Sequence, residues 1–276
     1  MQKFSKGFSE LQFEGRDYMK TRIVIVVLIA FTALFTGCGV QAGEKADGSF
    51  SLEEQEEVSP AKIDAIAFLE DLAKDKVMPD TGNYKKVKKK YPKWFGEDGK
   101  IVYPVLPGSD EWKKAKNLWG MNEACQIPEE IVNAVDTKIL LKAVEEFPLL
   151  YASLHYDYYE LGLQYFAEVF YGMNVLLRRE DASRAAADSY LARNLKTPDG
   201  EFDDLRVREA LLLEEFLISR EDAYYKFNEK ERKEILKAVE KNYDIEKKLF
   251  LACGGIEYHF YDMAAYGDNP WQSELP

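Results

Sequence analysis

Apolar side chains recur every three or four positions along most of the chain after residue 59, which is the spacing of one face of an α-helix. The first such stretch follows Ser59-Pro60, where a cap residue precedes a proline in the first turn. Its apolar face consists of Ile63, Ile66, Leu69 and Ala73. The pattern therefore predicts a helix that ends near Lys76.

Prolines and glycines interrupt the chain between Val77 and Pro107. This spacing predicts mostly loop, with a short basic helix and a brief extended piece at Ile101-Val102-Tyr103.

The helical pattern returns after Ser109 and continues through most of the remaining sequence. We predict helices through residues 112–119, from 128, over 137–147, 158–179, 182–195 and 204–219, and from 228. The helix over 158–179 should be the longest. The helix over 204–219 should be central to the core because it is apolar around much of its circumference. No repeated strand pattern and no fixed-period repeat is visible. The predicted fold is all-α, an irregular helical bundle with a small N-terminal helix-and-loop region.

Two predicted helix starts carry specific capping signals. Asp136-Thr137 can cap the third helix of the bundle, and Asn228 is followed three residues later by Glu231, which is the spacing of a capping box.

A different pattern precedes the first helix. The run from Ile23 to Phe35 is apolar and uncharged, and Lys20 and Arg22 come before it. A bilayer-spanning helix needs about 20 apolar residues, so this run is too short to be an uncleaved anchor and is typical of a secretory signal. An ordinary cleavage site at Gln41-Ala42-Gly43 is the poorer alternative.

Leu34-Phe35-Thr36-Gly37-Cys38 closes this run and resembles the lipobox of bacterial lipoproteins. The resemblance implies that Phe35, Thr36 and Gly37 direct processing, and that the Cys38 thiol takes a diacylglycerol before signal peptidase II cuts ahead of it. Phe35 departs from the pattern, in which leucine is usual. Two or more acyl chains give stable anchoring, so the expected location is the outer face of the cell membrane, lipid-anchored and extracytoplasmic. The alternative is a buried structural cysteine.

The signal also divides the chain. Residues 1–18 carry acidic side chains ahead of the basic pair, so we predict that they are an upstream extension and that translation starts at Met19. Residues 19–37 are then the signal peptide and residues 38–58 a flexible polar tether. Residues 59–107 form the helix-and-loop region and residues 108–276 the helical domain.

The charge of the chain argues against nucleic acid as a partner. The full sequence has 37 basic and 49 acidic residues. Residues 1–37 contain five basic and three acidic residues, so the mature chain keeps 32 and 46 and a net charge of −14. Such a chain repels polyanions.

One dense basic cluster stands against this background, and it consists of Lys85, Lys86, Lys88, Lys89 and Lys90 with Trp94 close by. It could contact phosphate-bearing wall polymers or lipid headgroups, because each lysine near an anionic surface adds about 1 kcal/mol. The alternative is a solvated face balanced by neighbouring acids.

Tyrosines crowd the stretch around His155. Together with Tyr156, Tyr158 and Tyr159 this histidine is a candidate ligand groove, because tyrosine joins apolar area to a polar group. The alternative is packing between helices in the core.

No catalytic residue, metal site or cofactor is predicted. The stretch Glu257-x-His259-x-x-Asp262 is a weak match to a metal site, and a structural histidine is the better interpretation. Adjacent carboxylates such as Glu145-Glu146 and Glu214-Glu215 identify no acid–base pair. Cys125 and Cys253 could form a disulfide or be two separate buried thiols.

The region from Ser109 to Leu150, with Asn122-Glu123-Ala124-Cys125-Gln126-Ile127-Pro128 at its centre, resembles a segment of uncharacterised exported proteins of gut-type bacteria. That resemblance implies export and a shared helical module, and it assigns no functional residue. The expected function is a non-catalytic binding or interaction module of the cell envelope, with a membrane anchor and a wall polymer, glycan or protein as partner. An envelope hydrolase and a solute-binding lipoprotein of a transporter are the alternatives.

Overall fold

The computed structural model describes residues 59–195, 202–252, 260 and 269–274. Within these ranges the prediction of an all-α fold is confirmed, and the β-structure there consists of isolated bridges, Val77 with Arg179 and Phe95 with Ile101. The helices are α1 (Pro60–Lys74), α2 (Tyr84–Lys90), α3 (Asp110–Lys114), α4 (Leu118–Ala124), α5 (Glu129–Ala134), α6 (Thr137–Glu145), α7 (Tyr159–Val169), α8 (Tyr171–Arg178), α9 (Ala182–Ala192), α10 (Phe202–Ser219), α11 (Glu221–Tyr224) and α12 (Glu229–Ala252). Short 3-10 turns lie at Thr81–Asn83, Pro92–Trp94, Leu150–His155 and Pro270–Glu274.

Both predicted capping signals are present. The Asp136 side chain accepts a hydrogen bond from the Ile139 backbone N–H at 2.9 Å and so caps α6. At the start of α12 the Asn228 side chain accepts from the Glu231 N–H at 3.0 Å, and the Glu231 carboxylate accepts from the Asn228 N–H at 2.8 Å. These bonds satisfy backbone donors that have no partner inside the helix.

Residues 57–276 form one compact unit. Within it, the helix-and-loop region contributes buried residues to the same hydrophobic core as the later helices. Ile101 and Tyr103 are both buried, and the Tyr103 hydroxyl donates to the Ala143 carbonyl at 2.7 Å. The extended piece at Ile101 pairs with Phe95 across a turn in which Gly99 has a φ of +83°, a conformation that favours glycine.

The prediction of one continuous helix over 158–179 is wrong, since the chain leaves the helical conformation at Phe170. The backbone there is extended, with φ −123° and ψ 106°, and the Phe170 ring stacks on Phe147 at a centroid distance of 3.9 Å. The break exposes a backbone carbonyl, and side chains from the α4–α5 segment form hydrogen bonds with it. Asn122 and Gln126 both donate to the Val169 carbonyl at 2.9 Å.

The predicted helix 112–119 is likewise two helices. Ala115 is extended, and the Asn117 side chain caps α4 by accepting from the Gly120 N–H at 2.9 Å. An N-cap residue needs a non-helical backbone, which ends α3. The longest described helix is therefore α12, with 24 residues.

The central position predicted for 204–219 is confirmed. α9 and α6 pack on α10, whose Leu211, Leu213 and Leu217 are fully buried. α12 packs on α9 and α10 through Ile235 and Val239. Among the described helices none is both long and apolar enough to cross a bilayer.

Candidate functional site

The residues of the basic cluster differ in their exposure and contacts in the folded protein. In α2 the side chain of Val87 is buried, and Lys85, Lys86 and Lys89 are exposed. Lys90 forms an ion pair with Glu130 at 2.6 Å, and the Lys88 ammonium lies 5.8 Å from the centroid of the Phe95 ring. Trp94 packs against the core, with its ring 5.8 Å from that of Tyr103. Four of the six candidate residues thus remain exposed, and one of these four, Lys90, is paired with an acid at the surface.

The candidate groove around His155 is also divided. Tyr159 is only 2 % exposed and belongs to the core. Tyr158 is half-buried, and the Lys62 ammonium lies 5.8 Å from the centroid of its ring. The side chain of His155 lies outside the described part of the chain. Tyr156 is half-buried at the surface, where its ring contacts that of Tyr165 from the same tyrosine-rich stretch, and Tyr165 in turn contacts Trp119, which the sequence did not group with them.

These residues form an aromatic strip, which we define as Trp119, Tyr156 and Tyr165. The Tyr165 ring lies 5.7 Å from that of Tyr156 and 6.4 Å from that of Trp119. Trp119 is 46 % exposed in the first turn of α4, whereas the two tyrosines are half-buried. The strip therefore offers a continuous row of ring surface with the indole as its most accessible member.

Glycine allows the close packing that builds the strip. A Cβ at Gly162 would lie 2.6 Å from the Ser153 carbonyl oxygen, so α7 can approach the 150–155 turn only with glycine there. This contact brings Tyr156, which follows the turn, alongside Tyr165 of α7. Gln164 and Glu168 flank Tyr165 on the same helix, and partial desolvation raises the pKa of Glu168.

A second feature lies inside the bundle, where carboxyl groups converge between α6, α9, α10 and α12. We call this set the acid network, and its members are Glu145, Glu214, Glu215 and Glu246 together with Lys142, Tyr190, Arg193 and Asn242. The four glutamates expose between 0 and 8 % of their surface. Buried charge at this density is costly unless it is paired or protonated.

One half of the acid network is paired with cations. Arg193 makes a two-pronged contact with Glu214, from Nη2 to Oε1 at 2.6 Å and from Nε to Oε2 at 3.0 Å. Lys142 donates to Glu145 at 2.7 Å and to Ser189 at 2.7 Å. Burial, followed by the nearby charge of Glu214, nevertheless raises the pKa of Glu145.

The other half contains two carboxyl groups that meet at one hydroxyl. The Tyr190 hydroxyl donates to Glu246 Oε1 at 2.6 Å and lies 3.4 Å from Glu215 Oε1. Because this hydroxyl has one proton to donate, the two buried carboxyl groups avoid a contact between like charges only when one of them is protonated. Burial, and then the charge of Glu246, raises the pKa of Glu215 well above its ordinary value.

A smaller polar group lies where α7, α10 and the 150–155 turn meet. The Ser153 hydroxyl donates to Glu209 Oε2 at 2.7 Å, and both residues are buried. Burial raises the pKa of Glu209 to about 8.

Sequence reasoning missed the acid network, although one signal for it was present. Glu214-Glu215 interrupts an apolar run, Leu211-Leu212-Leu213 on one side and Phe216-Leu217 on the other, in the helix that was predicted to be central. A charged pair inside a fully buried helix has to be buried with it.

Several predicted features lie outside the described residues. These are the signal segment, Cys38, the tether, Cys253 and the Glu257–Asp262 stretch. In the described ranges no group of histidine, cysteine and acidic residues could hold a metal ion. Cys125 is a buried free thiol whose Sγ lies 3.5 Å from the Val105 carbonyl oxygen, and burial raises its pKa to about 11. This thiol is therefore unreactive at neutral pH.

Comparison with known proteins leaves the site to be interpreted on its own chemistry, since no protein-family model, curated protein or solved structure matches the chain.

Proposed function

We propose that the protein is a lipid-anchored, extracytoplasmic binding module that holds a neutral saccharide chain on its aromatic strip. The observation that carries this proposal is the accessible indole of Trp119 in ring contact with Tyr165, which in turn contacts Tyr156. Contiguous exposed apolar surface is a feature of interaction sites, whereas single scattered apolar residues are ordinary.

The chemistry of the strip fits a saccharide. The C–H face of a pyranose ring stacks on an aromatic ring, and its hydroxyl groups need polar partners at the edge. Gln164 and Glu168 lie beside Tyr165 and provide an amide and a carboxylate. The net charge of −14 disfavours polyanionic wall polymers, so an uncharged glycan is the favoured ligand.

Trp119→Ala should weaken binding of soluble, uncharged glycan strands by at least about tenfold, because exposed tryptophan anchors typically contribute about 2 kcal/mol or more to binding. Isothermal titration calorimetry with the full chain in detergent micelles measures this directly. Tyr225→Ala is the matched control, since Tyr225 is 71 % exposed and is not part of the strip. Equal weakening by both variants, or no glycan binding by the wild type, would contradict the proposal.

An envelope hydrolase is the second candidate, and the raised pKa values of buried carboxyl groups favour it, because such shifts are typical of acid catalysts. Glu214, Glu215 and Glu246 are shielded from solvent, however, at 1 % exposure or less. Release of new reducing ends from the same glycan strands, abolished by Glu145→Gln, would favour the hydrolase over the binding module.

The lipid anchor has its own test. Cys38→Ser should move the protein from the detergent phase to the aqueous phase in a phase-partition experiment, because the thiol that accepts the diacylglycerol is absent. Unchanged partition would contradict anchoring at Cys38 and would leave the saccharide proposal untouched.

A further inference from the structure

The second half of α12 is attached to the bundle in an unusual way. Up to Val239 this helix docks through apolar side chains, of which Ile235 and Val239 are buried. Between residues 240 and 248, the described side chains that are buried are Asn242 and Glu246, both polar. Attachment there therefore depends on polar contacts rather than on apolar burial.

Those contacts converge on one hydroxyl. Glu246 accepts from the Tyr190 hydroxyl of α9 at 2.6 Å, and the same hydroxyl lies 3.4 Å from Glu215 Oε1 of α10. Both carboxyl groups are buried, at 1 % and 0 % exposure. Three helices are thus joined at one hydroxyl that has a single proton to donate, and this link between Glu215 and Glu246 holds only while one of the two carboxyl groups carries a proton.

The surrounding charges do not replace that proton. The titratable and charged groups on the helices packed around the link are Lys142 and Glu145 of α6, Tyr159 and Glu160 of α7, Arg193 at the end of α9, and Arg208, Glu209 and Glu214 of α10. The cations Lys142 and Arg193 form their ion pairs with Glu145 and Glu214. The charge of Arg208 acts on Glu209 and Tyr159. Loss of the proton would leave two negative charges in contact in a solvent-shielded site, with Glu214 adding a third nearby.

We propose that Tyr190, Glu215 and Glu246 form a proton-dependent latch that holds the second half of α12 on α9 and α10, and that raising the pH releases it. The sign follows from the direction of the pKa shift. Glu215 has a higher pKa in the folded protein than in the unfolded chain, so its contribution to docking is complete in mild acid and is lost as the pH rises through the folded value. The released part is local because the first half of α12 keeps its apolar contacts.

Hydrogen exchange of the full chain in detergent micelles, corrected for the intrinsic pH dependence of amide exchange, tests the latch. Between the ordinary pKa of a glutamate and the raised pKa of Glu215 in the folded protein, exchange in residues 240–248 should speed up by roughly tenfold for each pH unit, because one proton is lost on opening. Above that raised pKa the exchange should level off, because the closed and open states then carry the same number of protons. The amides of α6 should show no such change. Simultaneous loss of protection in α6 and α12 would indicate global unfolding and would overturn the proposal, as would exchange in α12 that does not change with pH.

Glu215→Gln gives the second arm, because glutamine keeps a hydrogen-bond donor toward Glu246 and cannot lose a proton in this range. This variant should stay protected in residues 240–248 at alkaline pH. Glu240→Gln, an exposed carboxylate on the same helix, should behave as the wild type does. If Glu215→Gln does not fold, Glu246→Gln likewise leaves one amide beside one carboxyl group, so that two negative charges cannot meet there. Opening that follows the wild-type pH dependence in either folded variant would exclude the latch.

Discussion

Replacing Arg193 with methionine should lower the free energy of unfolding by about 3–5 kcal/mol, which is the usual cost of removing one partner of a buried ion pair. Arg193 contacts both carboxylate oxygens of Glu214, and the Glu214 side chain is 0 % exposed. Without the guanidinium, the carboxylate must stay buried without its main partner, take up a proton, or pull α10 away from α9.

Among the described residues, the other cation that is paired with Glu214 cannot replace Arg193. Lys142 lies 3.7 Å from Glu214, but its side chain is 42 % exposed. It therefore provides less compensation than the guanidinium.

Urea unfolding of the full chain in detergent micelles measures this effect. Lys138→Met is the matched control, because the Lys138–Asp188 pair also joins α6 to α9 at 2.7 Å but is exposed on both sides. Exposed pairs contribute about 0–1 kcal/mol, so this control should be nearly neutral. Arg193→Met combined with Glu214→Met should recover most of the loss, since an apolar pair leaves no buried charge. A single Arg193→Met variant no less stable than Lys138→Met would contradict the argument.

Local signals explain why most helices could be predicted from the sequence. Asp136 and Asn228 act through backbone groups three residues away, and the apolar face of α1 follows from spacing alone. Such signals require no knowledge of the tertiary structure.

The breaks between helices could not be predicted in the same way. At Phe170 the helical spacing of apolar residues continues unchanged, and the chain departs from the helix because its ring stacks on Phe147. The broken backbone is tolerated because Asn122 and Gln126, more than 40 positions earlier, donate to the exposed carbonyl. At Asn117 a local signal did exist, since asparagine is a favoured N-cap residue.

The candidate sites also divide into features that a local sequence pattern indicates and features that depend on the tertiary structure. The exposed lysines of α2 follow from a local run of charge. The aromatic strip joins Trp119 to Tyr165 from two different helices, and the acid network joins four helices. Neither set is close in sequence, so only the fold brings its members together. The burial of Glu214-Glu215 within α10 was the one part of the network that the sequence could have indicated.

Trp271→Ala is the second change for which we expect a large loss, about 3–5 kcal/mol in the free energy of unfolding, as is typical of removing a buried aromatic side chain. Trp271 is 0 % exposed. Its ring packs on Tyr224 at 5.3 Å and on Phe260 at 5.2 Å, and its indole N–H donates to the Ile218 carbonyl at 3.2 Å.

Polar contacts reinforce the same anchor. Asn269 donates to the Ser219 carbonyl at 2.7 Å, and Glu274 accepts from the Tyr224 hydroxyl at 2.7 Å and from Arg232 at 2.5 Å. The 270–274 turn thus ties the end of α10 to α11 and α12.

Trp119→Ala makes the comparison decisive, because the same truncation at a tryptophan that is 46 % exposed should lower stability by about 1 kcal/mol or less. The two variants should then differ in which quantity changes. Trp119→Ala should have weaker glycan binding and nearly the wild-type free energy of unfolding, whereas Trp271→Ala should have a much lower free energy of unfolding. Trp271→Phe should recover most of the stability, since it keeps a ring against Tyr224 and Phe260 and gives up only the bond to Ile218. If Trp271→Ala unfolds in urea at the wild-type midpoint, the 270–274 turn does not anchor the bundle, and the packing of Trp271 between α11 and Phe260 would have to be wrong.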